Sequence, residues 1–112
     1  MPKTRKTQVY GVSVPSAVKT VSAATTLNPG DNFVRCGAGT YAVALPPITD
    51  CADETFVLYQ TAGSSSVTVT LGEGAAFSKL VAAGAPMTAV GDYRVIKNVG
   101  GVAWIELAEL ST

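Results

Sequence analysis

Phe56-Val-Leu-Tyr-Gln-Thr-Ala-Gly-Ser-Ser-Ser-Val-Thr-Val-Thr-Leu71 is the stretch on which the fold class turns. Its second half puts Val67, Val69 and Leu71 on one parity and Thr68 and Thr70 on the other, the period of two expected of a strand with one buried face. Its first half, Phe56 to Tyr59, is apolar on both parities and suits a central strand or one covered by a second chain. The Gly-Ser run between the halves breaks both patterns and reads as a turn. Upstream, Tyr41, Val43 and Leu45 share a parity until Pro46-Pro47, which cannot donate to a ladder, ends the strand. Downstream, Tyr93-Arg-Val-Ile96 repeats the two-sided apolar pattern, and Asn98-Val-Gly-Gly101 supplies glycines for a tight hairpin into Val102–Leu107. Asn28-Pro-Gly-Asp31 has Pro and Gly at the two central positions of a type II turn. Only Ser78–Ala83, before Gly84, offers a single helical turn. These elements predict an all-β chain: a small antiparallel β-sandwich, jelly roll or barrel over residues 28–112, preceded by an extended arm, residues 1–27, with room for edge strands.

Charge is sorted along the chain. Lys3, Arg5, Lys6 and Lys19 give residues 1–20 a formal +4 with no acid among them, and the remaining four bases against eight acids give residues 21–112 a formal −4. The arm is rich in Thr, Ser, Val and Pro and lacks a helical period, so it needs a partner surface to fix its shape. Tyr10, Val12 and Val14 share a parity there, and with Val9 they would bury against a partner while Lys3, Arg5 and Lys6 steer the approach. Four cations and one aromatic make a weak nucleic-acid footprint, and a protein surface is the expected partner of the arm. Over the whole chain of 112 residues, 47% are hydrophobic and only 14% charged, a sparsely charged surface suited to burial against other chains. No apolar run reaches the ~18 residues of a spanning helix, and the N-terminus lacks the apolar core of a secretory signal, so synthesis in the cytoplasm is expected. Cys36 and Cys51 are the only cysteines; a bridge would close a loop, and two reduced, buried thiols are the alternative expected of a chain made in a reducing compartment.

No reaction is legible. The chain has no histidine, which removes a Ser-His-Asp triad and leaves a zinc site without its usual ligands. Asp50, Asp53 and Glu54 crowd one loop but match no calcium-loop spacing, and they read as a solvated turn. Gly72-Glu-Gly74 lacks the third glycine of a dinucleotide fingerprint, a position held by Phe77. No catalytic residue, cofactor or metal is therefore assigned. Trp104 has the core as its default place; the alternative sets the last strand, through Trp104, Ile105 and Leu107, at a subunit interface.

From Tyr41 to Leu107 the chain resembles a β module of bacteriophage virion proteins, among them capsid decoration (cement) or head-fibre proteins and tail-fibre segments. The resemblance rests on the order of its parts: Ala44-Leu-Pro-Pro47, Glu54-Thr-Phe-Val-Leu-Tyr59, Val-Thr-Val-Thr, Gly91-Asp-Tyr-Arg-Val-Ile96, a glycine turn and Gly101-Val-Ala-Trp-Ile-Glu-Leu107. Val99-Gly100-Gly101 stands where the module usually has an aspartate before its turn glycine, and no repetitive shaft is present, which favours decoration over a fibre. The resemblance implies a homotrimeric or otherwise symmetric structural protein on the virion capsid surface, bound to the major capsid protein through the N-terminal arm. A tail-fibre or tail-tip module is the alternative. A carbohydrate-binding β-sandwich is a second one, which an exposed Tyr41, Tyr59 or Trp104 would favour.

Overall fold

The computed structural model describes residues 18–71 and 86–112. Among these residues eight strands follow one another: β1 (Lys19–Val21), β2 (Thr25–Thr26), β3 (Phe33–Cys36), β4 (Thr40–Ala44), β5 (Thr55–Gln60), β6 (Ser66–Thr70), β7 (Tyr93–Val99) and β8 (Ala103–Leu110), with a short 3-10 turn at Ile48–Asp50. The expected helical turn at Ser78–Ala83 falls outside the described residues.

The chain is all-β, but its pairing departs from the antiparallel one expected. A five-stranded sheet runs in the order β1-β3-β5-β7-β8 and a three-stranded sheet in the order β2-β4-β6. β1, β3 and β5 pair in parallel, as do β2, β4 and β6; among the described strands β5 with β7 and β7 with β8 are antiparallel, as is an isolated bridge between Val67 and Met87. The reason is that strands adjacent in sequence lie in different sheets. Each short connection carries the chain across to the opposite sheet, so the next strand in the same sheet runs the same way as the last. A strand of the other sheet thus does the work that a helix does in a βαβ crossover. Neither sheet closes on itself, which removes the barrel among the expected architectures.

Corner residues extend the ladders past the strand ends. The Leu27 N–H donates to Ala44 O at 2.8 Å, Leu45 N–H to Thr70 O at 2.9 Å, and Thr61 N–H to Cys36 O at 2.9 Å. The Asn28–Asp31 turn closes with Asp31 N–H on Asn28 O, and Gly30 takes the positive φ (94°) that only glycine adopts without strain. Gly100 and Gly101, both at positive φ, make the β7–β8 hairpin.

One core is shared by the two sheets. Alternation supplies it: Val34 and Cys36 from β3, Phe56 and Leu58 from β5 and Ile96 from β7 meet Val43, Val67 and Val69 of the smaller sheet. Val21 and Leu27, both before residue 28, are buried in the same cluster. Trp104 has no exposed surface and packs edge-to-face on Phe56, with ring centroids 5.9 Å apart. Its Nε1 has no hydrogen-bond partner among the described residues.

Three buried polar groups fasten the ends of the larger sheet. Asn98 donates to Ile48 O at 2.8 Å and accepts from Gly101 N–H, joining the hairpin turn to the 3-10 turn. Arg94, fully buried on β7, pairs with Glu106 of β8. A bulge between Val95 and Ile96 in the β7–β8 register sets Glu109 opposite the same Arg94. Burial pushes the Glu106 carboxyl up against the pull of the guanidinium, and the neighbouring Glu109 adds to the rise. Asp92 collects Thr112 Oγ1–H at 2.6 Å together with the N–H groups of Thr88, Ala89 and Thr112. The Thr112 hydroxyl above all, then these backbone donors, hold its carboxyl far below the usual range against the opposing effect of burial.

Two consequences can be measured. Trp104→Ala should lower the unfolding free energy from urea titration by about 3–5 kcal/mol, with Trp104→Phe costing less because it also removes the unpaired N–H. A carboxylate whose acidity is raised by folding contributes stability that is present above its unfolded value of 3.8 and is lost as pH falls toward the folded one. The thermal midpoint of Asp92→Asn should therefore lie below that of the parent at pH 7, and the gap should narrow below pH 3.8; a gap constant with pH would remove the carboxylate from that role.

Candidate interaction surface

The same alternation that fills the core with Val34, Leu58 and Ile96 turns their neighbours outward. On the outer face of the larger sheet, the register aligns Phe33 of β3 with Val57 of β5, Val57 with Val95 of β7, and Val95 with Ala108 of β8. Val18, just before β1, continues this row. A second row runs from Thr20 through Arg35, Tyr59 and Tyr93 to Leu110. Val18, Phe33, Tyr59 and Leu110 each leave 44–52% of their surface in solvent. Between the rows lies a hollow of about 490 Å³, lined by Val18, Phe33, Val57, Tyr59, Thr61 and Arg35.

The charge on this face has one sign. Arg35 and Lys97 are the only ionisable side chains other than tyrosine that point outward from β3, β5, β7 and β8, and no carboxylate joins them. Lys97 bends to the loop and donates to Asp53 O at 2.8 Å. Arg35 is exposed and lines the hollow. Among the described residues beyond position 20 there are three bases, Arg35, Arg94 and Lys97. Two of them lie on this face of a body whose formal charge is negative.

The acids of the loop after Pro47 brace turns. Glu54 Oε1 accepts from Gly30 N–H at 2.8 Å and from the Asn32 side chain at 3.1 Å, and Asp53 Oδ1 accepts from Gly100 N–H at 2.9 Å. Among the described residues no three His, Cys, Asp or Glu side chains converge as a metal site. Among them, too, no helix is long and apolar enough to cross a membrane.

The expected site residues divide sharply. Lys3, Arg5, Lys6, Val9, Tyr10, Val12 and Val14 lie outside the described residues, as does Gly72-Glu-Gly74. In the last strand Trp104 has no exposed surface, Ile105 is half-buried and Leu107 is 57% exposed. Of the three aromatics named as sugar platforms, Tyr59 alone is exposed. Tyr41 is half-buried, with its hydroxyl donating to Gly37 O at 2.8 Å. Sequence reading missed the outer face because its rows form across strands. Phe33, Val57 and Val95 are far apart in the chain and become neighbours only through the register. The two-sided apolar character of Phe56–Tyr59 and Tyr93–Ile96 was the signal that pointed to it.

Cys36 and Cys51 are free and buried. Burial pushes the Cys36 thiol up to about 11, only partly offset by a backbone hydrogen bond from Tyr59. Burial likewise raises Cys51, where the Asn98 amide lowers the value and the charges of Glu54 and Asp50 raise it again. No family model, curated protein or solved structure matches the chain.

Both thiols are thereby kept protonated and inaccessible. Ellman's reagent at pH 8 should titrate neither in the folded protein and both in guanidinium chloride. Fast reaction of either thiol in the native state would contradict the burial.

Proposed function

We propose that this chain is a structural virion protein: a capsid decoration or cement protein that binds the outer capsid surface as a homo-oligomer, most simply a trimer, and stabilises the shell. Its two sheets serve as a sandwich-like platform, and residues before Val18 fasten it to the major capsid protein. The observation that carries the reading is the outward-facing double row from Val18, Phe33 and Val57 to Tyr59, Tyr93 and Leu110, with Val18, Phe33, Tyr59 and Leu110 exposed, an apolar sheet face of the kind that marks contact with another protein. The basic, acid-free segment before it supports the same reading. The mechanism is mechanical: many equivalent weak contacts on a symmetric lattice add into strong attachment, and each copy resists the separation of the subunits it bridges. The tail-fibre or tail-tip module is the second reading, since an apolar sheet face also suits stacking along a fibre.

Immunogold microscopy with an antibody to this chain, applied to particles from its source, separates the two. Label over the head is the expected outcome, label on the tail would transfer the protein to the fibre, and unlabelled particles would end the virion reading. Deleting residues 1–17 leaves β1 intact and should keep the far-ultraviolet spectrum and oligomeric state while lowering particle binding at least tenfold. Attachment unchanged by that deletion would take the fastening role from the arm.

A further inference from the structure

Resting on the attachment reading, we infer that the hollow on the outer face of the larger sheet is itself a docking site, and that its occupant is an acid-bearing, otherwise apolar segment of another protein, held by Arg35. Three observations lead there. The lining is Val18, Phe33, Val57 and Tyr59, which favours an apolar occupant. The one charged group in the lining is the Arg35 guanidinium, a planar fork of donors suited to a carboxylate. No Asp or Glu faces outward from β3, β5, β7 or β8 to neutralise it.

Charge complementarity also selects among occupants. The chain's own N-terminal segment carries Lys3, Arg5 and Lys6 and no acid, so laying it on this face would bring like charges together. A two-fold contact between identical faces would set Arg35 and Lys97 against Arg35 and Lys97 with no carboxylate between them. A foreign segment with apolar residues and a carboxylate satisfies both the hollow and the guanidinium. Among the described residues β1, beside the hollow, is an edge strand of the sheet, so a segment in extended form can extend the sheet as it docks. The basic arm and the cationic face then seek the same kind of partner, an acidic one, from two places on the molecule.

The test uses the full chain and two capped ten-residue peptides, one of alternating Val and Glu and the other of alternating Val and Lys, followed by fluorescence anisotropy. The Val/Glu peptide should bind the parent at least tenfold more tightly than the Val/Lys peptide, and Arg35→Glu should weaken the Val/Glu peptide at least tenfold. Tyr59→Ser, an exposed position, should weaken it while leaving the circular dichroism unchanged. Equal binding of the two peptides, binding indifferent to Arg35→Glu, or binding of neither overturns the proposal. Tighter Val/Glu binding after deletion of residues 1–17 would make the chain's own arm the occupant, and loss of the oligomer in Arg35→Glu would make it a second copy; either also overturns it. Peptide binding with unlabelled particles would retain the docking chemistry and discard the virion. Labelled particles that keep their decoration when it carries Arg35→Glu would retain the virion and discard this partner.

Discussion

The structure depends on a constraint of connectivity: among the described residues, strands that follow one another in the chain are not neighbours in a sheet until β7 meets β8. Every corner up to β6 must carry the backbone across the core layer, and its amide groups must find partners on the way. Leu27 and Leu45 meet that requirement by donating to the ladder of the next turn of the chain, and Thr61 by donating back to Cys36 in the preceding one. The corners therefore belong to the hydrogen-bonded frame, and apolar corner residues such as Leu27, Leu45 and Ile48 are also buried. The antiparallel β7–β8 hairpin ends the winding on one side, and the bridge between Met87 and Val67 does so beside β6. On the other side β1 and β2 are the edges among the described residues.

Local patterns were readable because they are local. The alternation of Val67, Val69 and Leu71, the stop at Pro46-Pro47, the Asn28–Asp31 turn and the glycine hairpin all follow from backbone chemistry within a few residues. Sheet direction was not readable, since a short Gly- or Ser-rich connection serves equally well for a hairpin and for a crossing between sheets. Short connections pointed to hairpins; register between residues as distant as Val34 and Leu58 decided otherwise. The same limit hid the candidate surface. The arm's own residues were legible as a charge pattern, whereas the row from Phe33 through Val57 to Val95 exists only once three strands are aligned.

Charge placement joins fold and function. The acids of the body are used near loops and buried contacts: Glu54 and Asp53 hold turns, Asp92 gathers the chain end, and Glu106 answers Arg94. The outer face of the larger sheet is left with apolar side chains and cations. A body acidic in sum thus presents a face that is not, next to the point where the basic N-terminal segment enters. Net charge alone would have predicted repulsion from any acidic surface, and the distribution reverses that expectation.

The winding also sets an order of events in folding. Its parallel pairs join residues well separated in sequence, and loop-closure entropy opposes each of them before any contact compensates. The hairpin of β7 and β8 is the element whose pairing is local, and during synthesis it emerges after the strands it must cover. Until it arrives, one edge of β5 is without β7 and the ring of Phe56 is without Trp104, and a half-made chain displays a sticky strand. Production of this protein is consequently sensitive to whatever delays those last residues, and truncation before β7 would yield a species prone to clumping.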